Sequence, residues 1–208
     1  MTALIVIDVQ NDFLSGGALP VKKGDRVISP INRLVRLPFD TIFASKDWHP
    51  PDHKSFALTH GRKVGEHIML KGLDQILWPV HCVRNTSGAE FADELDTSKF
   101  EKVVYKGTDK DIDSYSAFFD NGHLKSTGLA DELKERDITE VYIAGLVTDY
   151  CVKYSVLDAV EQGFRTHVVV DACRAVNVEE GDSEKALDEM RAAGAIVTTT
   201  EKVTQEVK

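Results

Sequence analysis

The residues of this chain best equipped for chemistry stand just past short apolar runs. Asp8 ends the run Ala3–Ile7, Asp47 and His49 follow Thr41–Ser45, and Lys106 follows Lys102–Tyr105. Cys151 comes shortly after Glu140–Ala144, in Gly145-Leu146-Val147-Thr148-Asp149-Tyr150-Cys151-Val152. A thiol is a strong nucleophile once its proton leaves, and a cysteine opening a helix faces the positive end of the dipole, which lowers its pKa. A carboxylate at the end of an apolar strand is costly unless bonded or paired. Asp8 therefore either caps the amides of Asn11 or Asp12, or serves as the base that takes the thiol proton and returns it. Lys106 fits equally a surface lysine before a turn at Gly107 and an ammonium that favours the thiolate.

A second constellation points to a metal. Asp47-Trp48-His49, with His81 in Trp78-Pro79-Val80-His81-Cys82, offers a carboxylate and two imidazoles. That set suits zinc, iron(II) or manganese, and three protein ligands leave positions open for water or substrate. His53, four residues past His49, is a candidate fourth ligand or outer contact; His60, His67, His123 and His167 read as surface or loop histidines. If a metal activated water, Cys151 would be unnecessary. If Cys151 attacks, the metal orients the substrate instead. Cys82 and Cys173 open no obvious helix and read as structural thiols.

Elements must hold these groups together. The runs Ala3–Ile7, Thr41–Ser45, Lys102–Tyr105, Glu140–Ala144, Thr166–Val170 and Ala195–Thr199 are short, rich in Val and Ile, and nearly continuous. Such runs suit strands buried on both faces of a parallel sheet. Between them the spacing predicts helices over Val27–Leu37, Leu129–Arg136, Val152–Gln162 and Glu184–Ala193, the last with Asp182 or Ser183 as cap and Gly194 as stop. Strands alternating with helices give right-handed crossovers, and ligands then bind at the carboxyl ends of the strands. Trp48–Ser98 has little periodicity and reads as a loop-rich functional insertion.

Composition excludes several classes. With 25 Lys+Arg against 34 Asp+Glu, the net charge is −9, which argues against a nucleic-acid binder or an anionic-membrane binder. No run approaches the ~20 apolar residues of a spanning helix. The N-terminus, meeting Asp8 without a charged leader, is not expected to be a signal peptide. Three widely spaced cysteines without a CxxC pair fit free thiols in a reducing, cytoplasmic setting. One domain over residues 1–208 is expected, and a homo-oligomer is compatible with it.

Taken together, Asp8-Val9-Gln10-Asn11-Asp12-Phe13, Asp47-Trp48-His49-Pro50, Trp78-Pro79-Val80-His81-Cys82, Tyr105-Lys106-Gly107 and the block around Cys151 resemble the nicotinamidase/pyrazinamidase family of isochorismatase-like cysteine hydrolases. The pieces occur in the family's order, and the resemblance covers essentially the whole chain. It implies a single-domain, three-layer, Rossmann-like α/β fold whose six-stranded parallel sheet carries helices on both faces. It also implies a triad of Cys151, Asp8 and Lys106, and one divalent ion, foremost zinc, on Asp47, His49 and His81. The ring nitrogen of nicotinamide would bind that ion, placing the amide carbon near the thiolate. The backbone amides of Val147 and Cys151 would hold the oxyanion beside a cis Leu146–Val147 peptide, and Phe13, Trp78 and Tyr115 would line the pocket. The implied reaction converts nicotinamide, and pyrazinamide with it, to the acid and ammonia through a thioester, in NAD salvage. A sibling hydrolase acting on a carbamoyl or ureido compound, a metal-water hydrolase and a catalytically silent module are the competing readings.

Overall fold

The structure is a computed structural model describing residues 1–207. In chain order the strands are β1 (Thr2–Ile7), β2 (Thr41–Asp47), β3 (His67–Leu70), β4 (Leu73–Ile76), β5 (Lys102–Lys106), β6 (Glu140–Leu146), β7 (Arg165–Arg174) and β8 (Ile196–Thr198). The helices are α1 (Ile28–Val35), α2 (Leu129–Glu135), α3 (Lys153–Glu161), α4 (Asp182–Ala192) and α5 (Thr200–Glu206). Six strands, one for each apolar run, form a parallel sheet in the order β5-β2-β1-β6-β7-β8.

Continuous apolar runs are explained by burial on both faces. Ala3 to Ile7 of β1 are all 0% exposed. Leu4 and Val6 pack with Ile31, Leu34 and Val35 of α1 and Val203 of α5 on one side. Ala3, Ile5 and Ile7 pack with Leu133 of α2, Val156 of α3 and Met190 of α4 on the other. Period-two side chains thus feed two cores, making three layers. Among the described residues, no helix is long and apolar enough to cross a membrane.

The chain steps from β1 outward to β2 and β5, then returns to place β6 on the other flank of β1. Strand order therefore reverses between β1 and β6, where a crevice opens at the carboxyl ends. Here Gly145, at φ +133°, lets β6 lie close to β1: a Cβ added there would sit 2.1 Å from the carbonyl oxygen of Ile7.

Some local expectations are corrected. Trp48–Ser98 contains an antiparallel hairpin, β3 with β4, whose strands are too short for periodicity to reveal. Helix α5 lies beyond the last expected strand and is capped by Thr199, whose side chain accepts the Lys202 N–H. Helix α3 begins at Lys153 because residues Thr148–Val152 wind as a wider π turn. Helix α4 starts at Asp182 behind Gly181 rather than at Glu184, and Gly194, at φ +107°, follows its end.

Gly145→Ala combines a left-handed φ with a backbone overlap, so it is expected to cost about 2–4 kcal/mol of stability. Urea unfolding should show a lower midpoint at unchanged slope; an unaltered midpoint would mean that the β1–β6 approach tolerates a methyl group.

Candidate active site

The ends of four neighbouring strands converge. Asp47 and Lys106 are the last paired residues of β2 and β5 and lie opposite each other in the ladder. Asp8 turns the chain after β1 at φ +47° and is 0% exposed. Cys151 sits in the π turn after β6 and is buried. The Lys106 side chain is fully enclosed between these groups. Its Nζ lies 2.8 Å from Asp8 Oδ2 and ion-pairs with Asp47. It donates to the Ser114 carbonyl at 3.0 Å and reaches Cys151 Sγ at 3.4 Å. The opposite oxygen of Asp8 accepts from Ser45 Oγ at 2.7 Å. Lys106 is therefore no surface lysine, and the Asp8 side chain bonds Ser45 and Lys106 rather than capping Asn11, whose amide bonds the Glu90 carbonyl.

The electrostatics follow from enclosure. Burial opposes the charge on Lys106, but Asp47 and then Asp8 outweigh it and hold the ammonium well above the usual lysine range. Burial likewise opposes the charge of Asp47, yet Lys106 and His49 keep its carboxyl well below the usual range. At Asp8 burial prevails over Lys106, and the carboxyl is pushed up to about 6. Burial, opposed by Lys106 and reinforced by Asp8, pushes the Cys151 thiol well above its ordinary value. The expectation that a helix terminus lowers this pKa is thus overturned. Cys151 lies ahead of α3 in a dry turn, within 4.8 Å of oxygens from two carboxylates. Burial thus favours the protonated thiol, with a carboxylate acceptor at hand. Cys82 and Cys173 are also buried with raised pKa values, so what distinguishes Cys151 is its neighbours.

Asp47, His49 and His81 bring one ligand atom each within 4.8 Å of one another. His49 Nδ1 donates to the Gly107 carbonyl at 3.0 Å and His81 Nδ1 to the Pro79 carbonyl at 2.8 Å. These bonds leave both Nε2 lone pairs toward Asp47, at 3.7 and 3.8 Å from Oδ2. A donor set with outer hydrogen bonds fixing each imidazole fits a divalent ion. With both carboxyls ionised, Lys106, Asp8 and Asp47 leave one net negative charge, which a cation would offset. His53 is not in this group. Its Nδ1 accepts from the Ser55 N–H at 3.1 Å, so Nε2 is the donor and points to the Ile112 carbonyl at 3.3 Å. Burial and the adjacent His49 push it down to about 4, which keeps it neutral.

A narrow cavity of about 20 Å³ touches Cys151, Val147, Asp47 and His81, and Phe13, Trp78 and Tyr115 line it. The Tyr115 hydroxyl accepts from Gln75 at 3.0 Å and from Trp78 Nε1 at 3.3 Å. The Leu146–Val147 peptide is cis. The Val147 carbonyl accepts from Tyr150 and Val152, folding the turn back on itself. Gln10 clasps the Asp47 backbone through two 2.8 Å bonds, and Asp12 accepts from the Cys82 N–H beside His81 at 2.7 Å. Leu19, Asp113, Tyr150 and Val176 also line the cavity and were not anticipated. Tyr150 adjoins Cys151 and Asp113 stands two residues before Tyr115, whereas Leu19 and Val176 sit in loops with no periodic signal.

Known proteins share this arrangement of elements. A family model described as the isochorismatase domain matches residues 2–202. Nicotinamidase of Escherichia coli is 45% identical over 95% of this chain and 94% of its own. The structure of a nicotinamidase/pyrazinamidase from Acinetobacter baumanii superposes with a TM-score of 0.93 at 41% identity, over 97% of both chains. That of Pyrococcus horikoshii pyrazinamidase in complex with zinc gives 0.77 at 36% identity, over 95% of this chain and 98% of that one. This chain belongs to the isochorismatase family of hydrolases and, within it, to the nicotinamidase/pyrazinamidase group.

Proposed function

We propose that this chain is a nicotinamidase, an amidohydrolase releasing ammonia from nicotinamide by way of a cysteine thioester. The observation carrying the mechanism is the buried contact of Cys151 Sγ with Lys106 Nζ at 3.4 Å, beside the Asp8 carboxylate and the Asp47, His49 and His81 donors. The Acinetobacter relative, named for nicotinamide and pyrazinamide, supports both substrates.

Asp8 takes the proton of Cys151, and the sulfur attacks the carboxamide carbon. Lys106 stays protonated and offsets the growing negative charge near the sulfur. The backbone N–H groups of Val147 and Cys151 donate to the oxyanion, an arrangement worth several kcal/mol of barrier. Asp8 then protonates the departing nitrogen, which leaves as ammonia. It next draws a proton from water, whose oxygen adds to the thioester carbon; the C–S bond then breaks, Asp8 returns the proton to sulfur, and the carboxylic acid and the thiol are freed. Phe13, Trp78 and Tyr115 hold the ring and exclude water. Asp47, His49 and His81 would hold one divalent ion, with zinc favoured by the Pyrococcus relative; when bound it would supply Lewis acidity toward the ring nitrogen. The whole chain acts as one catalytic unit, in the cytoplasm, where its three free cysteines persist. Its product would be a pyridine carboxylic acid, and NAD salvage is the role we propose for it.

Cys151→Ala should lower ammonia release at least about 10⁴-fold while bound metal, measured by elemental analysis, stays unchanged. Substantial turnover in that variant would assign the attack to water. Nicotinamide should be preferred over ureido and carbamoyl compounds in the same assay; the reverse order would mark a sibling hydrolase.

The base must be ionised, and its pKa lies near 6. On the acid side of that value, kcat/KM should fall about tenfold per pH unit; a flat profile down to pH 4 would remove Asp8 from the role. Treatment with a chelator should strip metal and activity together, and Asp47→Asn should lower bound metal by itself. Full activity at zero metal would confine these three residues to a structural task.

A further inference from the structure

One residue of the segment around Cys151 has no part in the mechanism above. Asp149 is 4% exposed and stands two residues before the nucleophile. Its Oδ1 accepts the Val176 N–H at 3.0 Å and its Oδ2 accepts the Asn177 N–H at 2.7 Å. Both oxygens are thus engaged by consecutive backbone donors of the loop after β7. Asn177 in turn accepts the Ser183 N–H at 2.9 Å, tying the loop to the start of α4. Val176, the residue so held, lines the same cavity as Cys151.

We propose that Asp149 is a positioning residue that sets the width of the substrate cavity, by clasping the 176–177 backbone so that Val176 closes one wall beside the nucleophile. The inference rests on the cavity being the substrate site, as argued above. Each of the two N–H groups has its own acceptor oxygen here, an arrangement a carboxylate provides and a carboxamide, with one oxygen, does not. An asparagine at this position would satisfy one donor and confront the other with an NH₂. Because Asp149 belongs to the turn that carries Cys151, wall and nucleophile share one rigid support. In so narrow a cavity, a small retreat of Val176 would admit ring substituents that the native wall excludes.

The test compares the full-length enzyme with Asp149→Asn, Val176→Ala and the double variant, on nicotinamide and on ring-methylated nicotinamides. Asp149→Asn should raise KM for nicotinamide about tenfold, as loss of one charge-assisted bond implies, with kcat within about threefold. Both single variants should improve kcat/KM for at least one methylated substrate relative to nicotinamide. The double variant should match Val176→Ala, since both changes act on one wall. Amide hydrogen exchange, which needs no substrate, should speed up at Val176 and Asn177 in Asp149→Asn. A fall in kcat with KM and size preference unchanged would overturn the proposal, as would exchange at wild-type rates. If Asp149→Asn does not fold, the substrate profile of Val176→Ala decides: an unwidened profile refutes the gating wall. If wild-type enzyme leaves nicotinamide untouched, the proposed function fails, whereas the exchange result still judges the clasp.

Discussion

A single buried ammonium organises this molecule's chemistry. Lys106 is enclosed on all sides and touches Asp8, Asp47, the Ser114 carbonyl and the sulfur of Cys151. A buried cation without partners would be severely destabilising, and removal of one member of such a group typically costs about 3–5 kcal/mol. The three strand ends that supply these partners are thereby locked to one another. The same ammonium joins the proposed nucleophile to the proposed metal ligands, since Asp47 pairs with Lys106 through one oxygen and faces both histidines with the other. Acid–base chemistry and ring positioning are thus two halves of one charge network.

That network explains why the sulfur rests protonated. Two carboxylates surround one ammonium, so a thiolate would add negative charge to a dry region already carrying an excess. Burial consequently raises both the thiol and Asp8. A raised carboxyl is a competent acid as well as a base near neutral pH, which suits a group that must accept a proton in one step and give it back in the next. The expected dipole effect loses although α3 begins only two residues on, because burial, reinforced by Asp8 and Asp47, prevails at the sulfur.

Support around the site is mostly polar and comes from short loops. Gln10 fixes the backbone of Asp47, Asp12 holds the segment beside His81, and the carbonyls of Gly107 and Pro79 orient the imidazoles. At Gly107 an added Cβ would lie 2.4 Å from the His49 ring, so the bare backbone is what lets that carbonyl approach. The residues just after β1 therefore brace the proposed metal ligands, Gln10 through the Asp47 backbone and Asp12 through the segment beside His81.

Sequence by itself determined the sheet, because short apolar runs alternating with helical segments specify a parallel sheet whose central strands, such as β1, are buried on both faces, and it located the candidate reactive residues at the strand ends. It also singled out Asp8, Lys106, Cys151, Asp47, His49 and His81, whose types and motif contexts are distinctive. It could not choose between a surface and a buried Lys106, or place His53 outside the group of Asp47, His49 and His81, since each depends on contacts between segments far apart in the chain. Leu19 and Val176 were invisible for the same reason: a loop residue becomes a cavity wall only when another part of the chain holds it there. The hairpin of β3 and β4 escaped because four-residue strands carry too few side chains to show a period. The ordering of proton affinities was likewise decided by the folded structure alone, because it arises from burial and from charges that are neighbours only in space.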